Sequence, residues 1–328
     1  MTGGKVQAMA KSSAGRVAVL HVGLIALMFL LQFVLPQYHH TNLARIMVLA
    51  CYAIGYNLLL GYTGLLSLGH AMFFAVGLYA TGLGVAQFGL DPLSGFLAGP
   101  LAGCALAVIV GLVALRTSGV AFMIVTLMFS QTGFLLILYF GDFTRGDEGF
   151  VVAEGLRRLA IGGMTIDLAA PAVRYNLALA LFGACLFVSW AVLRSSIGRV
   201  FVAIRENEER TRLLGYDTWR YKLLALALSG TMSGAAGGAY ALLFAYVGAT
   251  FASIQYSIYP LLWVLLGGAG TTLGPFLGTL LMFYLIDIAS GLLPGYLIVV
   301  GAVLILLTLW FPKGIVGSLR ARWLTWLP

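Results

Sequence analysis

Residues 93–140 read LSGFLAGPLAGCALAVIVGLVALRTSGVAFMIVTLMFSQTGFLLILYF, and the only charge in that stretch is Arg116. The runs Leu93–Leu115 and Val120–Phe140 flank a four-residue link, Arg116–Gly119. Each run has the roughly 20 mostly apolar residues that a helix needs to cross a bilayer. So short a link leaves room only for a turn, so the stretch predicts a helical hairpin across a membrane. In lipid a helix satisfies its own backbone polar groups, which an open strand cannot do.

The same reading extends outward in both directions. Val17–Leu35, Leu43–Leu60 and Ala71–Leu90 precede the hairpin. Tyr175–Leu193, Leu223–Val247, Phe251–Gly268, Pro275–Leu293 and Tyr296–Phe311 follow it. The expected fold is all-α, a polytopic transmembrane helix bundle of about ten spans. Composition agrees. Of 328 residues, 61% are hydrophobic and 9% charged, and mean hydropathy is +1.00. A soluble domain is nearer 25% charged. The second and eighth spans are the weakest, because one holds Arg45 and Asn57 and the other Ser253, Gln255, Ser257 and Pro260. The first has a basic start, but its apolar run exceeds the ~7–15 residues of a signal peptide, so it is expected to be an uncleaved anchor.

Charge sets the orientation. The formal net charge is +8, and the basic residues lie between apolar runs, as topology signals do; no nucleic-acid partner is expected. With the N-terminus in the cytoplasm and ten alternating spans, fourteen of the 19 basic residues face the cytoplasm. Asp91, Asp142, Asp147, Glu148, Glu154 and Asp167 all fall outside. Both termini are therefore expected inside. The expected layout is a tail at 1–16, one membrane domain at 17–317 in contact with lipid, and a tail at 318–328. The two long connections are a loop-like outer segment, 141–174, and a cytoplasmic segment, 194–222.

Packing and chemistry come from few residues. Apolar burial gives little attraction between helices in lipid, so close approach needs small side chains. Among 42 glycines, Gly230, Gly234 and Gly238 recur every fourth residue, as do Gly270, Gly274 and Gly278. Cys51, Cys104 and Cys185 lie inside apolar runs and suit neither disulfides nor a metal site. There is no phosphate-binding Gly-rich Lys-Ser/Thr motif, no His-Glu-x-x-His and no Gly-x-Ser-x-Gly. No enzyme activity and no cofactor are expected. Ionisable groups deep in the membrane are few, chiefly His70 and Asp287, whereas ion-coupled pumps carry chains of them. Such a bundle would draw its energy from a partner. A self-sufficient secondary transporter and a non-transporting scaffold are the competing readings.

The segment 194–222 reads RSSIGRVFVAIRENEERTRLLGYDTWRYK. It suggests helix on both sides of Gly215, with Glu206–Arg210 and Glu208–Arg212 as i,i+4 pairs. Gly215 can end the first helix, and Asp217 or Thr218 can cap a second. By spacing alone it is a solvated charged helix; the alternative is a docking element for a cytoplasmic motor.

Resemblance favours docking. Residues 198–216, GRVFVAIRENEERTRLLGY, resemble the coupling segment of the permeases of branched-chain amino acid ABC importers, and the likeness continues through 222–241. Residues 57–80, NLLLGYTGLLSLGHAMFFAVGLYA, are similar to that family's Gly-Tyr-x-Gly-x-x-Ser-x-Gly-His signature. Residues 115–127, 144–149, 266–278 and 311–317 also resemble it, in order. The stretches at 116–119 and 144–149 resemble the longer, M-type member of the usual permease pair. Arg210, Thr211 and Arg145 depart from the common alanines and glycine of the family. The resemblance implies a bacterial inner-membrane permease that works with a homologous permease, two ATP-binding ABC subunits and a periplasmic substrate-binding protein. It also implies coupling residues, here Arg205, Glu206, Glu208 and Gly215. Similar permeases take urea, short amides or aromatic acids as alternative cargo.

Two intramembrane features remain. Gly61–His70 interrupts a helical hairpin, and reads equally as a turn or as a break on a transport path. Ser67 can cap the helix that begins near Gly69 or His70. Ser67 and Ser257 each precede a glycine by ten residues, a faint sign of inverted repeats. Asp287 lies mid-span and can pair with Tyr284 or Ser290; a transport role is the alternative. Ser67, His70 and Asp287 are thus the candidates for the translocation path.

Single cysteines tested with an impermeant maleimide check the charge-based topology. Positions beside Asp147 and Glu154 should label from outside, and positions beside Glu208 only after permeabilisation. Reversal at either loop would overturn the ten-span reading.

Overall fold

The computed structural model describes residues 3–161, 164–292 and 295–322. Residues 323–328 of the expected C-terminal tail, and residues 1–2, lie outside the described residues. A helix stands at each of the ten expected segments: α1 (Gly3–Leu31), α2 (Gln37–Asn57), α3 (Ala71–Ala86), α4 (Pro92–Ala114) and α5 (Val120–Tyr139) in the first half. After the short α6 (Gly141–Thr144) come α7 (Pro171–Arg194), α8 (Ser196–Glu206), α9 (Glu208–Leu213) and α10 (Thr218–Phe244). The chain ends with α11 (Ile254–Gly267), α12 (Gly274–Leu292), α13 (Tyr296–Trp310) and α14 (Ile315–Arg322). Residues 3–16 continue α1 rather than forming a separate tail.

Length separates these helices. By length and composition, α2 with the turn that extends it, α4, α5, α7 and α12 can cross a membrane. The apolar parts of α1, α3, α11 and α13 are shorter. At 14 residues, α11 is about 21 Å long, well short of the ~30 Å hydrocarbon core. The expected eighth span therefore divides into a 3₁₀ turn at Ala249–Ala252 and this half-length helix. The 27-residue α10 is long, but its glycines and serines make it less apolar than its burial suggests.

The centre of the bundle is α2 and α10. From Asn42 to Asn57 every residue of α2 except Arg45 is buried. α10 packs on α3 and α4, while α2 packs on α11 and α12. This exchange of partners is what two related halves would give. Glycines bring the backbones together. A Cβ at Gly103 would fall 2.9 Å from Gly234 Cα, and one at Gly237 would run into the Phe74 carbonyl and lie 2.8 Å from Leu78 N. Of the two glycine series, 230–234–238 lies on one helix face as expected. The other does not, because Gly270 belongs to the non-helical link before α12.

The connections gather at opposite ends of α2. At its start, Tyr38 donates to Asp287 near the end of α12. At its end, Asn57 meets the link between α11 and α12. The segment 141–174, expected as an outer loop, is folded rather than loop-like. Its strand β1 (Phe150–Val151) pairs antiparallel with β4 (Tyr246–Val247), and β2 (Arg158–Ile161) pairs with β3 (Met164–Asp167). Val152 N donates to Ala245 O at 2.8 Å, which ties this segment to the end of α10. Caps set several helix starts. Asp91 accepts from Leu93 N and Ser94 N for α4, and Ser195 accepts from Ile197 N and Gly198 N for α8.

Gly237→Ala should destabilise the bundle by about 1–3 kcal/mol, because the added methyl meets backbone rather than a yielding side chain. Gly301→Ala, with nothing within 4 Å of its Cβ, is the control. Equal thermal unfolding of the two variants in detergent would contradict the close α3–α10 contact.

Candidate functional site

The break after α2 is a problem in backbone hydrogen bonding. The helix widens into a π-turn at Leu58–Tyr62, then leaves helical form until Ala71. Each freed group that lies at membrane depth needs a partner. Gly64 N and Leu65 N bond back to Leu60 O and Leu59 O. Leu68 N donates to Thr126 Oγ1 at 3.2 Å, and Gly69 N to Ser67 Oγ at 3.2 Å. Tyr56 Oη donates to Ser67 O at 2.8 Å. The first N–H of α3, from Ala71, donates to Ser257 Oγ of α11 at 3.0 Å. Ser67 therefore forms a local turn and does not cap α3; Ser257 takes that role from a distant helix.

A second break, 268–273, lies beside the first. Asn57 joins them: its Nδ2 donates to Thr271 O at 2.9 Å, and its Oδ1 accepts from Gly270 N at 3.0 Å. Thr271 Oγ1 donates to Gly268 O and accepts from Gly274 N, which starts α12. Gly268 and Gly270 have φ of +120° and +72°, a region that glycine enters without strain.

His70 and Ser67 are fully buried. His70 Nε2 lies 2.6 Å from Ser229 Oγ, and Ser229 donates its one hydroxyl proton to Gly55 O, also at 2.6 Å. His70 must therefore donate through Nε2, and in the neutral ring Nδ1 is then the acceptor. That Nδ1 has no partner among the described residues. Neither Ser67 nor His70 lines the 270 Å³ cavity that Arg45 and Asp287 share.

The segment 194–222 is built differently from its expected form. Asn207 divides the first helix, since it ends α8 and caps α9 by accepting from Arg210 N at 2.8 Å. Glu206 and Arg210 thus stand on different helices, and no ion pair joins them among the described residues. The expected second short helix is the first turns of α10, capped by Asp217. Gly215 has φ +91° and supplies the left-handed turn between α9 and α10.

Glu208 fastens this segment to the bundle. Its Oε1 lies 2.7 Å from Lys222 Nζ, 3.1 Å from Thr218 Oγ1 and 3.5 Å from Arg212. Lys222 is only 7% exposed at its side chain. Burial alone would raise the Glu208 carboxyl; the hydrogen bond and charge of Lys222, with Thr218 and Arg212, hold it below its usual value. Arg205, on α8, turns inward: it donates to Gly61 O in the first break, and a Cβ at Gly270 in the second would fall 2.7 Å from its NH1. Arg320 of α14 donates to Gly270 O at 3.4 Å. Glu206 is exposed at the end of α8. Leu213 and Leu214 are 84% and 72% exposed at the tip of the segment.

Asp287 lies past the middle of α12, in the half whose end meets Tyr38. Its carboxylate accepts from Tyr38 and not from Tyr284, and Ser290 Oγ donates to its backbone carbonyl at 2.9 Å. Asn57, Ser229 and Ser257 were missed as site residues. Their polarity inside apolar runs was the available signal.

A helix bundle with interrupted helices joined at its interior, and a charged segment clasped to it, is a form that membrane transport permeases take. Residues 40–308 match the family model described as branched-chain amino acid transport system / permease component, and the chain belongs to that family. It is 28% identical over 299 residues to the high-affinity branched-chain amino acid transport system permease protein LivM of Salmonella typhimurium, covering 84% of this chain and 69% of that protein. It is 27% identical over 302 residues to the LivM of Escherichia coli, with the same coverage.

Glu208→Gln should loosen the clasp by about 1–3 kcal/mol, since it leaves a nearly buried ammonium without its carboxylate. The depressed carboxyl also fixes a sign. The clasp contributes at neutral pH and is lost as pH falls through the lowered value. Protease accessibility of 207–216 should rise in the variant at pH 7, and in the wild type only on acidification. No change in either would remove the clasp.

Proposed function

We propose that the chain is the M-type permease subunit of a bacterial ABC importer for branched-chain amino acids, placed in the inner membrane. Ten spans with both termini cytoplasmic put 194–222 on the inner face and 141–174 on the outer face. The chain pairs with a homologous permease; the assembly holds two ATP-binding subunits on the inside and receives cargo from a periplasmic binding protein. ATP hydrolysis belongs to the partners.

The observation that carries this reading is the form of 194–222. A solvated charge cluster has no need of exposed leucines at its tip. Here Leu213 and Leu214 are displayed beside Gly215, while Glu208 and Arg205 tie the same segment to α10 and to the first break. That arrangement suits a part that is gripped from below and transmits displacement upward. Glu206 is free to meet the ATPase surface; Arg205 acts on the permease side.

Gly215→Val forces a β-branched residue to φ +91°. It should insert and retain the partner permease, yet lose the ATPase subunits on affinity purification or lose hydrolysis stimulated by loaded binding protein. Full retention with full stimulation would return the segment to a solvated loop. Uptake by the reconstituted importer, with leucine, urea and an aromatic acid compared, tests the cargo.

A further inference from the structure

A 270 Å³ cavity opens among α2, α10, α11 and α12, toward the Tyr38 end of the bundle. Arg45 and Asp287 line it together with Tyr240, Tyr256, Tyr259 and Trp263. The two opposite charges do not neutralise each other. Every ion pair among the described residues lies within 208–222, so Arg45 has no carboxylate and Asp287 no cation within 4 Å. Unpaired charges inside a bundle are costly and are kept where a path or a ligand uses them.

Their environment is ordered. Arg45 lies over the Phe244 ring at 5.1 Å, and its Nε is buried without a partner. Arg174 shares that ring at 5.8 Å; burial, and then the charges of Arg157 and Arg45, hold its guanidinium below its usual value. This side of the cavity therefore has an excess of positive charge and suits a carboxylate. Across it, Tyr38 holds one oxygen of Asp287 and leaves the other without a partner among the described residues. Tyr259 and Trp263 stack at 5.9 Å with an interplanar angle of 13°. Trp263 is 4% exposed, and its Nε1 is a buried donor without a partner. Aromatic faces beside a carboxylate suit an ammonium, and Leu49 and Ile286 add apolar wall for a side chain. The volume is below the ~300–1,000 Å³ of pockets for drug-sized ligands.

From the unpaired Arg45 and Asp287 facing one small aromatic cavity, we infer that this is a permease site for the zwitterionic head of an α-amino acid, with Arg45 on the carboxylate and Asp287 on the ammonium. The inference rests on the importer reading and adds a recognition step inside the permease. A neutral amide would use neither charge, and an acid without an amine would leave Asp287 unpaired.

The test uses the purified pair of permeases with their ATPase subunits, without binding protein, and saturation-transfer difference NMR, which detects weak binding. Leucine should give a signal in the wild type. 4-Methylpentanoate lacks the ammonium and 3-methylbutylamine lacks the carboxylate; each should compete about 10- to 100-fold less well, the worth of one charge-assisted hydrogen bond. Arg45→Gln and Asp287→Asn should lose the leucine signal, and in the complete reconstituted importer should cut leucine uptake by a similar factor. Arg45→Lys and Asp287→Glu keep the charges and should keep most of the signal, which separates recognition from misfolding. An undiminished signal in the neutral variants, equal competition by the one-charge analogues, or equal loss in the charge-retaining variants would overturn the site. If the wild-type importer takes up urea but not leucine, the cargo reading falls. If it takes up leucine and the neutral variants match it, only the cavity inference falls.

Discussion

The carboxamide of Asn57 spans two gaps in the helical backbone. Backbone groups released by a break at membrane depth cannot turn to water, so each break persists only where side chains or neighbouring backbone replace the lost bonds. Asn57 can serve both functions at once because an amide carries a donor and an acceptor. It donates to Thr271 O and accepts from Gly270 N, while it ends the helix that opens the first break. Much else follows from that placement. α2 must be central to reach the second break, and it is enclosed on all sides. α11 must end close by, and Ser257 on it then reaches Ala71 N. The glycines at 61, 268 and 270 are needed because two backbones and a side chain share the space; a Cβ at Gly61 would lie 2.5 Å from Gly270 N.

This also explains what could be read from the sequence. Spans such as Leu93–Leu115 are legible because lipid imposes a composition on every residue of the run. The left-handed turn at Gly215 and the cap at Asp217 are legible because they are local. The lengths of α3 and α11 are not: the start of α3 is met by Ser257 of another helix, and α11 stops at Gly268, whose positive φ no apolar pattern announces. Asn57, Ser229 and Ser257 read as flaws in their spans, whereas in the fold each is half of a bond to residues more than 150 positions away. The segment 141–174 was hidden for a related reason: its first strand, of two residues, pairs with 246–247, which no local pattern announces. Asn207 was local, yet the helical run of charges around it concealed its role as a cap.

Polar groups in the core divide into two kinds. Ser229 and Ser67 bond to the bundle itself, through backbone carbonyls and amides and, for Ser229, through His70, whose own Nδ1 has no partner among the described residues. Such residues report on architecture, and an intramembrane position alone does not make them part of a path. Arg45 and Asp287 differ because protein partners leave their charges uncompensated. The presence of a partner also distinguishes Glu208, held through Oε1 by Lys222 and Thr218, from exposed Glu206.

In the importer proposed above, the clasp and the breaks would act as one mechanical chain. Arg205 is two residues from Asn207, the joint between α8 and α9, and its guanidinium holds Gly61 O. Gly61 adjoins Gly270, whose carbonyl is held by Arg320. A displacement of α9 that Glu208 passes to α10 must also strain or release the Arg205 contact. A released Gly61 carbonyl would be an unsatisfied acceptor in a packed interior, costing about 1–3 kcal/mol. The π-turn and the second break would have to rearrange to recover it. Packed cores shift between discrete arrangements rather than deforming smoothly. Motion applied below the membrane would therefore reach the paired breaks as a switch between hydrogen-bonding patterns, with Asn57 shared by both sides of the switch.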